Sequence, residues 1–350
     1  MKNILIFLLF LCFFASAAIA SDVVSRAKAA RHVLLNYGPA VTCGDDSVVC
    51  TEKNFKKANG ELVVSCEQNP DEFIFVSLGY EASESLGFDF ERGPGIGLGT
   101  RFSILNPSGC VVLAVKRAVH NIRTREIEEA AYTSYSPEID SEELREEGMN
   151  YLIGVISEAQ SRLSEKEIQS RAFKGTPVVA PDSDGTILRL ALIEHIDPDR
   201  ARVESPDQLI NEVLVTLALN REGAYKYARS PAGAHGLFQF TKPTYKLVLR
   251  KYPKADLNPD FISGAEDHVN SAMSALLLID LDTASLSPRV KKLFLATATH
   301  HMEYSAAAYN GGSGRARRAM KKDGTLRVQR LFRETRAYIM KLRLVHEALD

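Results

Sequence analysis

Glu222-Gly223-Ala224-Tyr225-Lys226-Tyr227-Ala228-Arg229-Ser230-Pro231-Ala232-Gly233-Ala234-His235-Gly236-Leu237-Phe238-Gln239-Phe240 is the stretch on which the reading of this chain turns. Immediately upstream, Ser205-Pro206-Asp207-Gln208 has the form of a helix start. Ser caps, Pro suits the first helical position, and Gln stands where a capping-box partner reaches back. The spacing predicts a helix from there to about Glu222, with Gly223 as its stop. Ile210, Val213, Leu214 and Leu217 form one apolar stripe on it; Val215, Ala218 and Leu219 form another, and Glu222 is the next member of the second. A carboxyl that continues an apolar stripe is partly desolvated and meets the negative end of the helix dipole. Both effects raise its pKa, which equips it as a general acid near neutral pH. At a frayed helix end the same residue would be an ordinary surface carboxylate.

The quoted stretch resembles the signature of the soluble lytic transglycosylase family: Glu-Ser, an aromatic, then Ala-x-Ser-x-x-Gly-Ala-x-Gly-Leu-Met-Gln. Two further blocks follow in the family's order. Ala307-Ala308-Tyr309-Asn310-Gly311-Gly312-Ser313-Gly314-Arg315 is similar to its Ala-Tyr-Asn-Ala-Gly-x-Gly block, and Glu334-Thr335-Arg336-Ala337-Tyr338 to its Glu-Thr-Arg-x-Tyr block. The resemblance runs from about Ile187 to the C-terminus. Gly223 stands where the family has Ser, Phe238 where it has Met, and Glu222 to Ser230 is one residue shorter than usual. A match without gaps would put Arg221 in the acid's column, but a guanidinium is charged at neutral pH and cannot be that acid.

The resemblance implies a lysozyme-like helical domain that cuts the MurNAc–GlcNAc β-1,4 bond of peptidoglycan and leaves a 1,6-anhydro end. Glu222 would protonate the leaving oxygen and then, as carboxylate, take the proton of the MurNAc C6 hydroxyl. One carboxyl in two roles suffices, so a second catalytic carboxylate is not required. By match to the blocks, Gln239 and Tyr309 would line the glycan cleft, Asn310 would brace its loop, and Glu334 would lie near substrate or hold neighbouring backbone. No metal or organic cofactor is implied. Two alternatives remain on the same fold. A true hydrolase would need another carboxylate to activate water, with Glu303 the nearest in sequence terms. A wall-binding or assembly protein would follow if the shortened loop displaces Glu222.

Outward from this region the chain changes character. Of 350 residues, 45% are hydrophobic, five are Cys and none is Trp; collagen-like, disordered and polytopic membrane classes are excluded. The near-zero net charge conceals an asymmetry. Residues 201–350 carry 23 Lys+Arg against 15 Asp+Glu, leaving 20 against 29 in residues 1–200, so the C-terminal end is where an anionic partner is expected. Lys2, the apolar run Ile4–Ile19 and Ala18-Ile19-Ala20 read as a secretory signal over 1–20, which predicts a periplasmic or secreted protein with no stable membrane span after cleavage. Cys43, Cys50, Cys66 and Cys110 remain; their even number in an exported chain favours two disulfides, and the three pairings stay open.

Residues 21–119 alternate short β-prone runs with turns, notably Leu62–Val64, Phe73–Val76 and Cys110–Val115. The Gly93–Gly99 run lacks the Lys-Ser/Thr tail of a phosphate loop and reads as a bend beside a strand. Residues 120–173 read as charged helical sequence, 174–186 as a linker, and 187–350 as helices joined by short breaks. The expected fold class is therefore α+β: a disulfide-bearing N-terminal α+β module followed by an all-α lysozyme-like domain. His235, His268, His300 and His301 form no metal-ligand pattern. The run Arg315–Lys322 has little aromatic interleaving, so nucleic acid is not the expected partner. Peptidoglycan strands are, with a cell-envelope assembly open to the N-terminal module.

Overall fold

The computed structural model describes residues 22–38, 41–43, 50, 55–58, 60–78, 87–93, 99–121, 123–179 and 185–350. The leader, the centre of the Gly-rich run and residues 180–184 of the expected linker lie outside them, as does the side chain of Cys43. The chain divides into two compact units: 1–151 with Leu214–Ala224, and Leu152–Val213 with Tyr225–Asp350.

The first unit mixes helix and sheet. A helix over 22–36 (α1) precedes β1 (Val41–Cys43), β2 (Phe55–Ala58), β3 (Glu61–Cys66), β4 (Asn69–Ser77), β5 (Asp89–Arg92), β6 (Phe102–Asn106), β7 (Cys110–His120) and β8 (Ile127–Tyr132). The main sheet is antiparallel in the order β4-β3-β7-β8, while β1-β2 and β5-β6 form separate pairs. Alternation sorts its side chains, and a shift in the β3-β7 register, where Val63 and Val64 pair with Ala114 and Val112, lets Val112 and Val115 join the same cluster. Leu62, Val64, Val112 and Val115 pack with Phe90 and Phe102 of the β5-β6 pair, while Val63 and Leu113 pack on Ala30 and Leu34 of α1.

Cys66 and Cys110 are register partners on β3 and β7 and form a disulfide, which supplies one of the pairings left open by sequence. Cys50 is also disulfide-bonded. Lys116 is wholly buried on β7; its Nζ donates to the carbonyls of Tyr37 and Gly38 at 2.6 and 2.7 Å and pairs with Glu61 at 2.8 Å, so the charge is satisfied.

The expectation of helix across 120–173 is corrected at its start. Residues 127–132 form β8, because pairing with β7 buries Ala130 and Tyr132 against Val119 and overrides the local charge pattern. Helix α2 (Glu142–Glu165) follows. The stretch 214–224 belongs to this same unit. Val215, Ala218 and Leu219 join Ala27, Tyr135, Ile139 and Leu144 in one apolar cluster. A Cβ at Gly148 would lie 1.9 Å from the Leu214 carbonyl, so only glycine permits that approach. Asn220 exchanges hydrogen bonds with the backbone of Thr133 (Thr133 N–H to Oδ1 at 2.9 Å, Nδ2 to Thr133 O at 2.8 Å), acting as one more rung of backbone.

The second unit is helical: the remainder of α2, then α3 (Thr186–Ile193), α4 (Pro206–Asn220, shared with the first unit), α5 (Lys242–Lys251), α6 (Phe261–Glu266), α7 (His268–Ala284), α8 (Pro288–Ala296), α9 (Ala298–Gly311), α10 (Ser313–Ala319) and α11 (Arg333–Leu349). Helix α7 is buried along nearly its whole length, and Asp267 caps it by accepting from Asn270 N–H. Asp260 and Ser287 cap α6 and α8 in the same way. Residues 168–178 lie on this core. Asp280 of α7 accepts from the backbone of Arg171 at 2.7 Å and from the Tyr252 hydroxyl at 2.6 Å, with Ser170 also donating to it. Among the described residues no helix is long and apolar enough to cross a membrane.

Candidate functional site

Helix α4 ends at Asn220, earlier than its apolar stripes suggest. Arg221 takes a left-handed φ of 50°, and Arg221–Gly223 close as a single 3-10 turn. The Arg221 guanidinium turns onto Glu147 and the ring of Tyr151. The reversal at Arg221 breaks the helical spacing, so Glu222 leaves the stripe and is exposed. The expected desolvation of Glu222 is thereby corrected: its stripe ends one turn sooner, at Leu219.

In the second unit Tyr225–Phe240 and the other two sequence blocks come together around another pair, Glu194-His195. Glu194 caps the C-terminal end of α3 immediately after Ile193, and Ile187, Leu190 and Ala191 are fully buried on the helix before it. The Tyr338 hydroxyl on α11 donates to its Oε1 at 2.7 Å. Burial lifts the Glu194 carboxyl to a pKa of about 7; the Tyr338 hydrogen bond and the Lys341 charge pull it down, and the Glu334 charge pushes it further up. The residue as a whole is half-buried, and desolvation of the carboxyl is the largest influence on its pKa.

His195 faces the other block. Its Nε2–H donates to the Leu237 carbonyl at 2.8 Å, and its ring stacks on Tyr225 with centroids 3.5 Å apart. Burial drives its pKa down to about 3, so the imidazole is neutral across ordinary pH and the donor stays on Nε2. Lys341, itself buried, donates to the carbonyls of Ile193 and Ile196, the latter at 2.7 Å, and so clamps the backbone on both sides of Glu194-His195.

The turn 225–240 is fixed by its own chemistry. Tyr225 and Gln239 hold left-handed φ values of 56° and 47°, and short bridges join Arg229 to His235 and His235 to Phe240. A Cβ at Gly236 would meet the Ala265 carbonyl at 2.0 Å, which explains that glycine. Gln239 Nε2 donates to Gly236 O at 2.8 Å and Ala228 O at 3.3 Å, so its amide nitrogen is committed to holding the turn. Tyr309 donates to the Phe238 carbonyl at 2.6 Å and packs edge-on against Phe240. Burial and the neighbouring Glu194 charge hold the Tyr309 phenol well above its usual pKa, so it stays a donor.

Asn310 places its Oδ1 in a buried position with no hydrogen bond among the described residues. Glu334 lies exposed in the first turn of α11, close enough to act on Glu194 through its charge. Gly311 approaches Thr335 so closely that a Cβ would meet its Oγ1 at 2.7 Å, which holds the second and third blocks together. Glu303 accepts from Arg343 Nε at 2.7 Å and is thus engaged by a cation.

Tyr309 and Glu334 thus lie within electrostatic reach of Glu194, which is outside the three blocks, while Gln239 holds the neighbouring turn. The sequence signal for Glu194 was present: Ile187, Leu190, Ala191 and Glu194 have the same i, i+3, i+4, i+7 spacing that was read at Glu222. Comparison with known protein families, with curated proteins and with solved structures finds no match for this chain.

Proposed function

We propose that this protein is an exported peptidoglycan lytic transglycosylase of lysozyme-like fold, with Glu194 in place of Glu222 as its general acid and base. The observation that carries the reading is the Glu194 carboxyl, held at the end of α3 with a pKa of about 7 and bonded to Tyr338 of the third block. Family resemblance supplies the reaction class, and the grouping of Tyr309, Tyr338 and the Leu237–Gln239 turn around that carboxyl supports it. In this reading the sequence between His195 and Tyr225 is an insertion relative to the family's pattern.

At neutral pH a carboxyl of this pKa is present in both forms in comparable amounts. The protonated form donates to the glycosidic oxygen as the C1–O bond breaks. The resulting carboxylate then takes the proton of the MurNAc C6 hydroxyl, whose oxygen closes onto C1, and the proton is returned to the enzyme. No water is consumed. Tyr338 steadies the carboxylate form by donating to it, while burial favours the protonated form; the two effects leave the group poised between its roles. His195, fixed on Leu237 O, and Tyr309, fixed on Phe238 O, keep the turn 225–240 in place beside the acid.

The Cys66–Cys110 disulfide fits an oxidising compartment, and we propose the periplasm or the cell exterior. The test is mass spectrometry of products from purified peptidoglycan. Wild type and Glu222→Gln are expected to give anhydro-muropeptides, and Glu194→Gln none. Reducing-end products from the wild type would make it a hydrolase. Loss of product with Glu222→Gln but not Glu194→Gln would return the role to Glu222.

A further inference from the structure

Residues 313–336 fold into a compact arch between α9 and α11. Helix α10 runs into a tight return in which Met320 pairs with Leu326, Lys321 N–H donates to Thr325 O at 2.8 Å, and Arg327 N–H to Ala319 O at 2.8 Å. Ala316, Ala319, Gly324, Leu326, Leu331 and Thr335 are its buried residues. The arch is thus held by backbone bonds, small apolar contacts and the Asp323 carboxylate, which accepts from the Thr325 N–H at 3.0 Å and its hydroxyl at 2.7 Å, while none of its cations is an internal support.

Yet its surface is strongly cationic. Arg315, Arg317, Arg318, Lys321, Lys322, Arg327, Arg330, Arg333 and Arg336 are set against only Asp323 and Glu334. All nine cations except Arg315 are exposed, and among the described residues none of the nine stands in an ion pair. Arg315 instead lies flat on the ring of Phe332, itself 57% exposed, at 3.2 Å from its centroid. Unneutralised like charges on one short arch repel one another and disfavour the compact state. Such charges are stabilised when an external anion neutralises them.

The arch also adjoins the candidate acid's surroundings. It ends in the first turn of α11, where Glu334 acts on Glu194 and from which Tyr338 reaches it one turn later. We infer that the arch is a binding surface for the free carboxylates of peptidoglycan stem peptides, holding a stem-bearing strand while the glycan lies at Glu194. Seven of the nine cations are arginines, whose planar fork matches a carboxylate through two parallel hydrogen bonds. The inference rests on peptidoglycan being the substrate and adds a preference: strands with charged stems over neutral ones.

The test is co-sedimentation of the full chain with purified peptidoglycan, untreated or with its stem carboxyls converted to neutral amides. Wild type is expected to bind the untreated material about tenfold more tightly than the amidated, the difference vanishing at high salt as the charges are screened. A variant with Arg317→Gln, Arg318→Gln, Lys321→Gln and Lys322→Gln is expected to bind untreated wall as wild type binds amidated wall. Unchanged thermal unfolding of that variant checks that the arch persists. Equal binding of wild type to the two wall preparations, or wild-type binding by the variant, would overturn the inference. So would tighter binding to double-stranded DNA than to untreated wall. Glu194→Gln should sediment as wild type does, so loss of chemistry and loss of anion binding are read separately.

Discussion

The Tyr338 hydroxyl donates to Glu194 Oε1 at 2.7 Å, joining residues 144 positions apart in the chain. This bond stabilises the carboxylate and so opposes the burial that favours the acid form. Tyr338→Phe removes the opposing influence while keeping the ring. The alkaline limb of the pH–rate profile for peptidoglycan cleavage is expected to move up from about 7, by roughly one unit. A limb that stays in place would mean that the hydroxyl only supports packing.

Glu194 also links stability to pH. Its folded pKa of about 7 lies above the ordinary 4.5, so its contribution is fully present below pH 4.5 and is lost as the pH rises through about 7. Glu194→Gln cannot ionise. The variant is therefore expected to be more stable than wild type by about 3 kcal/mol at pH 8, the difference falling to about 0.4 kcal/mol at pH 4.5. Denaturant titrations of both proteins at the two pH values check this. His195, with its depressed pKa, responds in the opposite sense between about 3 and 6.5, equally in both proteins, and cancels in the comparison.

Lys341 is a positioning residue in this scheme. Its Nζ satisfies the Ile193 and Ile196 carbonyls, and its charge draws the Glu194 pKa downward. Lys341→Met leaves both carbonyls without that donor and removes the charge. Destabilisation of about 2–3 kcal/mol is expected, together with an upward shift of the alkaline limb. Destabilisation without a shift would assign Lys341 to the fold alone.

The Cys66–Cys110 disulfide closes a span of 44 residues between adjacent strands. Cys66→Ser with Cys110→Ser is expected to lower stability by about 2–4 kcal/mol, by enlarging the unfolded ensemble. Unfolding followed by a probe within residues 60–120 should register the loss.

Local pattern revealed the elements better than it revealed the site. Leu62–Val64 and Cys110–Val115 read as strands and are strands, because central strands need β-branched runs. By contrast, Ile127–Tyr132 carries Glu128 and Glu129, and only its pairing with β7 makes it β. The helical character of 187–350 was legible from spacing. The apolar stripe does not carry as far as Glu222, because a single left-handed residue, Arg221, ends the helical periodicity and leaves Glu222 exposed. Glu194 satisfied the same periodicity but precedes a long stretch that the family's spacing lacks. Its partners Tyr338 and Lys341 are more than 140 residues away, beyond what a local pattern can show.

Two features of the first unit have a practical bearing on the chain as a whole. That unit is completed by Leu214–Ala224, which supplies Val215, Ala218 and Leu219 to its apolar cluster and Asn220 to the backbone of Thr133. A polypeptide begun at Ile187 would therefore carry an orphaned greasy turn, and one stopped before it would lack a side of its own core. A cut between residues 151 and 214 therefore strands part of the first unit's core on the wrong fragment, so the two halves are to be expressed and tested as one chain.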